Sequence, residues 1–112
     1  MIKVMFVCLG NICRSPMAEY IFKDMIKKEK LNSKIIVTSR GTSREEEGND
    51  IYYYAKEKLE EEGISYSKHK AQQLKKEEYN QYDYIIGMDE GNIRNIIRIV
   101  GKDSENKVYK LL

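Results

Sequence analysis

Residues 2–16 read Ile2-Lys3-Val4-Met5-Phe6-Val7-Cys8-Leu9-Gly10-Asn11-Ile12-Cys13-Arg14-Ser15-Pro16. The part before Cys8 is an apolar run broken only by Lys3, which is typical of a strand covered on both faces in a parallel sheet. Ser15-Pro16 predicts the start of a helix, because serine can cap a helix and proline in the first turn loses no hydrogen bond. A strand, a tight loop and a helix therefore follow each other directly.

The rest of the chain repeats this alternation. Apolar runs predict further strands, at residues 34–38 with Gly41 ending the strand, at 84–88 and at 107–112. Helical spacing predicts helices at residues 15–30, 50–63, 75–79 and 89–100, with Asn49 or Asp50 capping the second and Gly63 ending it. We therefore expect an α/β fold with three layers, in which a central four-stranded parallel sheet is flanked by helices. Residues 1–112 are expected to form a single domain.

Composition excludes several classes of protein. The net charge of +2 is too small to indicate nucleic-acid binding. No stretch approaches the roughly 20 apolar residues that span a bilayer, and the N-terminus lacks the features of a signal peptide, so we expect a cytoplasmic protein without a membrane partner. Two cysteines and one histidine are too few for a structural zinc site, and neither a metal nor another cofactor is expected.

The loop after the first strand has the composition of an anion site. Open α/β sheets place ligands at the carboxyl ends of their strands. Successive backbone N–H groups form an anion-binding concavity, and the following helix adds its unpaired donors. Gly10 and Asn11 tolerate the positive φ that such a loop requires. The loop therefore predicts binding of a tetrahedral oxyanion.

Three side chains in this loop carry chemistry. Cys8, facing a helix N-terminus and an arginine, favours the nucleophilic thiolate form. Arg14 offers a fork of donors to two oxyanion oxygens, and the hydroxyl of Ser15 can stabilise the thiolate when it leaves. This set fits phosphoryl transfer through a cysteinyl-phosphate. The Cys-x5-Arg spacing alone is a weak signal, because Cys8 can also be a small buried apolar residue.

The whole block resembles the active-site signature of low-molecular-weight protein-tyrosine phosphatases. The resemblance continues at 38–43, at 63–74 and at 82–94, and so covers the chain. It implies a phosphatase acting on phosphotyrosine in proteins or peptides, with Cys8, Arg14 and Ser15 as catalytic residues. Phosphate would be bound by the loop residues Leu9, Gly10, Asn11, Ile12, Cys13 and Arg14. By position, Asn11, Ser39 and His69 would support the loop, and Cys13 would form a disulfide with Cys8 under oxidation.

The sequence departs from the family pattern at one important point. The resemblance implies a later Asp-Pro dipeptide whose aspartate protonates the leaving phenolate, but Pro16 is the only proline in this chain. General acid catalysis is typically worth about 10²–10⁴-fold, so we expect impaired activity from a shortened chain. Asp89 would lie at the rim of the loop, where it can equally serve as a helix cap.

Three alternatives remain open at this point. Arsenate reductases of the same fold relay electrons through downstream cysteines, and none follows Cys13. Protein-arginine phosphatases tend to carry threonine where Ile12 stands, and isoleucine favours a phenyl phosphate. A non-catalytic phosphate-binding domain is the third alternative, since the general acid is missing.

Overall fold

A computed structural model of the protein describes residues 1–111. Within them the chain forms four strands, namely β1 (Ile2–Cys8), β2 (Ile35–Gly41), β3 (Tyr84–Gly87) and β4 (Val108–Lys110). It also forms the helices α1 (Arg14–Lys28), α2 (Tyr53–Glu61) and α3 (Glu90–Val100), and a 3-10 helix (Lys76–Gln81). Leu112, the last residue of the predicted fourth strand, lies outside the described residues.

The strands form one parallel sheet, as predicted. Their order is β2-β1-β3-β4, so β1 lies between β2 on one side and β3 on the other. Cys8, the last residue of β1, is opposite Gly41, the last residue of β2. Parallel connections that leave to opposite sides of a central strand open a crevice at its carboxyl end. The topology therefore places the loop after β1 in this crevice.

The two faces of the sheet are covered by different helices, which confirms the three layers. Because side chains alternate along a strand, Met5 and Val7 of β1 face one side, and Val4 and Phe6 face the other. The first pair packs with α3 and the 3-10 helix, in a cluster that includes Ile96. The second pair packs with α1. A third cluster joins α1 to α2, and its members include Tyr20, Ala55 and Leu59.

Several predicted boundaries were wrong, for local reasons. Helix α1 begins at Arg14, and the side chain of Ser15 bonds within the loop instead of capping the helix. Helix α2 begins at Tyr53 without a side-chain cap. The predicted cap Asn49 donates to Glu46 instead. Strand β2, in contrast, ends at Gly41 as predicted, and it pairs with β1 along its whole length.

The face of the sheet covered by α1 also carries an apolar groove. It has a volume of about 430 Å³, and Phe6, Phe22, Met25 and Met88 are among its lining residues. No helix in residues 1–111 has both the length and the apolarity needed to cross a bilayer.

Candidate functional site

The candidate site is built around Cys8 at the end of the central strand. Cys8 is 3% exposed, and its Sγ receives a hydrogen bond from the backbone N–H of Asn11 at 3.3 Å. The hydroxyl of Ser15, in the first turn of α1, lies 3.0 Å from the same sulfur. The loop and the start of α1 therefore place a backbone N–H and a hydroxyl group against one buried sulfur.

The loop carbonyl groups are tied to the surrounding protein. Four carbonyl oxygens, those of Cys8, Leu9, Ile12 and Cys13, accept hydrogen bonds from backbone N–H groups. The donors are, in the same order, Thr42, Ser43, Tyr52 and Met17. All peptide bonds of the described chain are trans, so the N–H group of each following residue points the opposite way. The N–H groups of residues 9, 10, 13 and 14 therefore face away from these carbonyl partners. These backbone donors are thus not used by the carbonyl partners and are available to an anion in the loop.

Asn11 organises the loop from inside. It is 1% exposed and has a φ of 59°, in the left-handed region that asparagine tolerates better than most residues. Its side-chain amide donates to the hydroxyl groups of Ser15 and Ser39, at 2.8 and 3.0 Å. Its side-chain oxygen accepts the backbone N–H of Gln72 at 3.0 Å. One buried side chain thus joins the loop to α1, β2 and the segment after α2.

The hydroxyl of Ser15 has one proton and more than one acceptor within reach. Besides the sulfur of Cys8, the backbone oxygen of Arg40 lies 3.3 Å from it. Because the amide of Asn11 donates to this hydroxyl, its own proton is free to turn to either acceptor. A thiolate is the stronger acceptor, since hydrogen bonds to charged groups are roughly twice as strong. Ser15 is therefore placed to stabilise Cys8 when it carries negative charge.

His69 supports the loop from outside. Its Nε2 lies 2.6 Å from the backbone oxygen of Asn11, and a carbonyl oxygen can only accept, so Nε2 carries the proton. His69 is 9% exposed. The carboxylate of Asp50 accepts the backbone N–H of His69 at 3.1 Å and also pairs with Lys56 at 2.8 Å. Asp50, which was predicted to cap α2, instead holds the segment that carries His69.

The ion pair with Lys56 is the largest cause that lowers the pKa of Asp50 from 3.8 to about 2. A lowered pKa in the folded state stabilises the fold above the ordinary pKa, and this contribution disappears as the pH falls from about 4 to 2. Asp50→Asn should therefore lower the melting temperature at pH 6, and the difference from the unmodified protein should shrink as the pH approaches 3.

Asp24→Asn is the matched control, because Asp24 forms an ion pair with Lys28 on the surface of α1 and does not contact the loop segment. Such exposed pairs contribute little, so a small change is expected at either pH. Equal effects of the two substitutions at pH 6 would contradict the role given to Asp50.

Glu19 extends the network into α1, and sequence reasoning missed it. Its Oε1 accepts the hydroxyl of Ser39 at 2.6 Å, and its Oε2 pairs with Lys23 at 2.5 Å. Glu19 is 7% exposed, and a buried carboxylate needs such partners. Its position one turn after Ser15, on the same face of α1, was the available signal.

Arg14 is the first residue of α1, and its side chain is about half exposed. It donates to the carboxylate of Asp89 at 2.7 Å. This bond raises the pKa of Arg14 and lowers the pKa of Asp89. Asp89 also accepts the backbone N–H of Asn92, so it caps α3 as predicted. The end of β3 therefore orients the guanidinium group beside the loop.

Gly41 makes room for the loop. A Cβ atom on Gly41 would lie 2.7 Å from the backbone oxygen of Leu9 and 3.1 Å from the backbone nitrogen of Asn11. Neither backbone atom can rotate away as a side chain could. The strand end thus approaches the loop as closely as a glycine permits.

Gly41→Ala should displace the loop, lower the free energy of unfolding by about 1–3 kcal/mol and weaken the binding of inorganic phosphate. Gly10→Ala is a comparison within the same loop, because its Cβ would meet the flexible side chain of Glu46 at 3.3 Å. Urea denaturation of both variants measures the loss of unfolding free energy, which should be larger for Gly41→Ala than for Gly10→Ala. A Gly41→Ala variant as stable as the unmodified protein would rule out this close packing.

The remaining residues of the loop and the other metal-binding side-chain types are placed as follows. Cys8 and Cys13 are both free thiols. Within residues 1–111, no group of three or more histidine, cysteine, aspartate or glutamate side chains could hold a metal ion. Leu9 is half exposed at the surface of the loop, whereas Ile12 is tied by its backbone to the start of α2. The structure thus brings together all of the residues that the sequence assigned to the site.

Comparison with known proteins agrees with this geometry. The family model described as low molecular weight phosphotyrosine protein phosphatase matches residues 3–112. The low molecular weight protein-tyrosine-phosphatase YfkJ of Bacillus subtilis is 42% identical over 112 residues, which cover 100% of this chain and 72% of YfkJ. A Saccharomyces cerevisiae low molecular weight phosphotyrosine protein phosphatase is 42% identical over 96% of this chain and 66% of its own length.

Solved structures give the same result. The crystal structure of Bacillus subtilis YfkJ superposes with a TM-score of 0.96, at 42% identity, over 100% of this chain and 70% of that chain. Vibrio vulnificus Wzb, solved in complex with benzylphosphonate, superposes with a TM-score of 0.84 at 27% identity, over 97% of this chain and 72% of that chain. The chain therefore belongs to the low-molecular-weight phosphotyrosine protein phosphatase family, whose members are phosphoric monoester hydrolases.

Proposed function

We propose that this protein hydrolyses phosphotyrosine in proteins or peptides, with Cys8 as the nucleophile. The observation that carries the proposal is the buried sulfur of Cys8, which has the hydroxyl of Ser15 and the N–H of Asn11 within hydrogen-bonding distance. A thiol that was only packed in the core would not need two such donors. Donors aimed at a sulfur are useful when that sulfur carries negative charge.

The first chemical step forms an S–P bond and breaks the P–O bond to the phenol. The thiolate of Cys8 attacks phosphorus opposite the aryl oxygen, which leaves with the bonding electron pair and takes a proton from water. The backbone N–H groups of the loop and the guanidinium of Arg14 hold the equatorial oxygens, whose charge they stabilise. Asp89 holds Nη1 of Arg14 through a single bond at 2.7 Å, which leaves the other N–H groups of the guanidinium to the phosphoryl oxygens.

The second step reverses the attack with water. A water molecule forms a P–O bond, the S–P bond breaks, and inorganic phosphate leaves. The electron pair returns to Cys8, whose thiolate is stabilised by Ser15 and Asn11. We assign the catalytic roles to Cys8, Arg14 and Ser15, phosphate binding to residues 9–14, and support of the loop to Asn11, Ser39 and His69.

The depth of Cys8 favours an aryl phosphate. Cys8 is 3% exposed at the bottom of the loop, so the phosphorus must reach well below the protein surface. A phenyl ring separates phosphorus from the peptide backbone by more than the single methylene of phosphoserine. Ile12 adds an apolar side chain at the loop, which suits a ring better than a charged guanidine.

Peptides of one sequence carrying phosphotyrosine, phosphoserine or phosphoarginine test this substrate class. Release of phosphate from the phosphotyrosine peptide alone, absent in Cys8→Ser, is the expected result. Preferential hydrolysis of the phosphoarginine peptide would instead support a protein-arginine phosphatase. Binding of phosphate without turnover of any peptide or of an activated aryl phosphate would support a non-catalytic domain.

We also propose that the protein acts in the cytoplasm. The chemistry requires a reduced Cys8, and Cys13 in the same loop offers a disulfide partner under oxidation. Cytoplasmic glutathione and thioredoxin keep thiols reduced, so this compartment preserves the nucleophile.

A further inference from the structure

A second polar cavity lies between α1, β2 and the segment 67–72. Its volume is about 430 Å³, which is within the range of small-molecule sites. Ser39 and His69 line it, and both also contact Asn11 of the phosphate-binding loop. None of residues 8–15 lines this cavity, so it is distinct from the candidate active site.

The walls of this cavity carry an excess of positive charge. Its basic lining residues are Lys23, Arg40, Lys68 and Lys70, and its acidic lining residue is Glu19. Two of the basic groups are already paired, Lys23 with Glu19 and Arg40 with Glu78. Across residues 1–111, Lys68 and Lys70 form no salt bridge with any carboxylate. Two cations are therefore left without an acidic partner at one concave site.

Hydroxyl groups add uncharged donors to these cations. Tyr20 and Ser67 line the cavity with their hydroxyl groups 3.1 Å apart, whereas the hydroxyl of Thr38 donates to Tyr82. A concave site with charge of one sign concentrates ligands of the opposite sign. A single negative charge on an exposed lysine gains little in water, whereas a ligand with several charges can engage both lysines at once.

We propose that this cavity binds a small polyanion of the di- or triphosphate class. Such a ligand carries several negative charges, which can pair with Lys68 and Lys70. It also has oxygens that can accept hydrogen bonds from the hydroxyl groups. Hydrogen bonds also connect the cavity to the loop. Lys23 pairs with Glu19, and the other oxygen of Glu19 accepts the hydroxyl of Ser39. The oxygen of Ser39 accepts the side-chain amide of Asn11.

Titration with inorganic pyrophosphate, followed by amide NMR, tests the site on the whole chain. Backbone amides of residues 67–70 and 38–40 should shift saturably. Lys68→Gln with Lys70→Gln should weaken this binding by about tenfold, since two exposed ion pairs are lost. The matched control is Lys34→Gln with Lys102→Gln, which removes the same charge at two exposed lysines outside the cavity.

A third variant separates the cavity from the phosphate-binding loop. Arg14→Ala should weaken the shifts of residues 9–14 and leave the dissociation constant read from residues 67–70 unchanged. The proposal is overturned if residues 67–70 show no saturable shift, or if both double variants weaken binding equally. It is also overturned if the shifts of residues 67–70 weaken together with those of the loop in Arg14→Ala, or if a polyglutamate peptide binds there and pyrophosphate does not.

Discussion

Cys8→Ser should reduce the hydrolysis of p-nitrophenyl phosphate by a factor on the order of 10⁵ or more, as loss of a catalytic nucleophile does in other enzymes. A serine hydroxyl at this position has the same donors around it, Ser15 and the N–H of Asn11. It is nevertheless a far poorer nucleophile at neutral pH than a thiolate. Nitrophenolate is a good leaving group, so this substrate reports on the nucleophile and not on leaving-group protonation. The factor is measured from the initial rates of nitrophenolate release at saturating substrate.

Cys13→Ser is the matched control, because it makes the same substitution in the same loop. Cys13 contributes its backbone N–H to the proposed phosphate site, and serine keeps that group. Its loss of activity should therefore be much smaller. Inorganic phosphate should still bind to the Cys8→Ser variant, which shows that the loop is folded. If both variants lost activity to a similar extent while still binding phosphate, Cys8 would not be the nucleophile.

Arg14→Lys should lower kcat/KM for the same substrate by about 10²–10³-fold, the usual cost of removing a donor that stabilises transition-state charge. Lysine keeps the positive charge but loses the planar fork that matches two phosphoryl oxygens. The pairing of Arg14 with Asp89 at 2.7 Å shows that the guanidinium is already positioned beside the loop. Steady-state kinetics and the inhibition constant of phosphate measure the loss.

Asp89→Asn serves as the comparison for Arg14→Lys. Asparagine keeps a side-chain oxygen that can cap α3, and it leaves the guanidinium intact. We expect a smaller loss of kcat/KM than for Arg14→Lys, because Asp89 orients Arg14 and does not touch the phosphoryl group. If Arg14→Lys lowered kcat/KM less than tenfold, recognition through the fork would be wrong.

The phosphate-binding loop could be predicted from the sequence because its parts are contiguous. The strand, the loop and the helix start lie within residues 2–16, and each follows from local preferences. Gly10 and Asn11 were both expected at a positive φ; Asn11 adopts a φ of 59°, whereas the prediction was wrong for Gly10, which is not among the glycines with a positive φ. The parallel sheet also followed from the simple alternation of strands and helices.

The partners of the loop were harder to predict because they are distant in sequence. Local rules favoured Asp50 as a helix cap, but its carboxylate accepts the N–H of His69, 19 residues away. Glu19 looks like an ordinary helix residue until Ser39 is placed beside it by the pairing of β2 with β1. Only the tertiary structure decides between such local and distant partners. The role of Glu19 was therefore not predicted from the sequence.

The proposed mechanism requires a covalent bond between phosphorus and the sulfur of Cys8 in every turnover. The most direct test is to mix the protein with p-nitrophenyl phosphate, quench it in acid within the first turnover, and digest it for mass spectrometry. We predict that one phosphoryl group will be found on the peptide that contains Cys8, and none in Cys8→Ser. Turnover with no phosphorylated Cys8 peptide at any quench time, or with the phosphoryl group on another residue, would contradict the account.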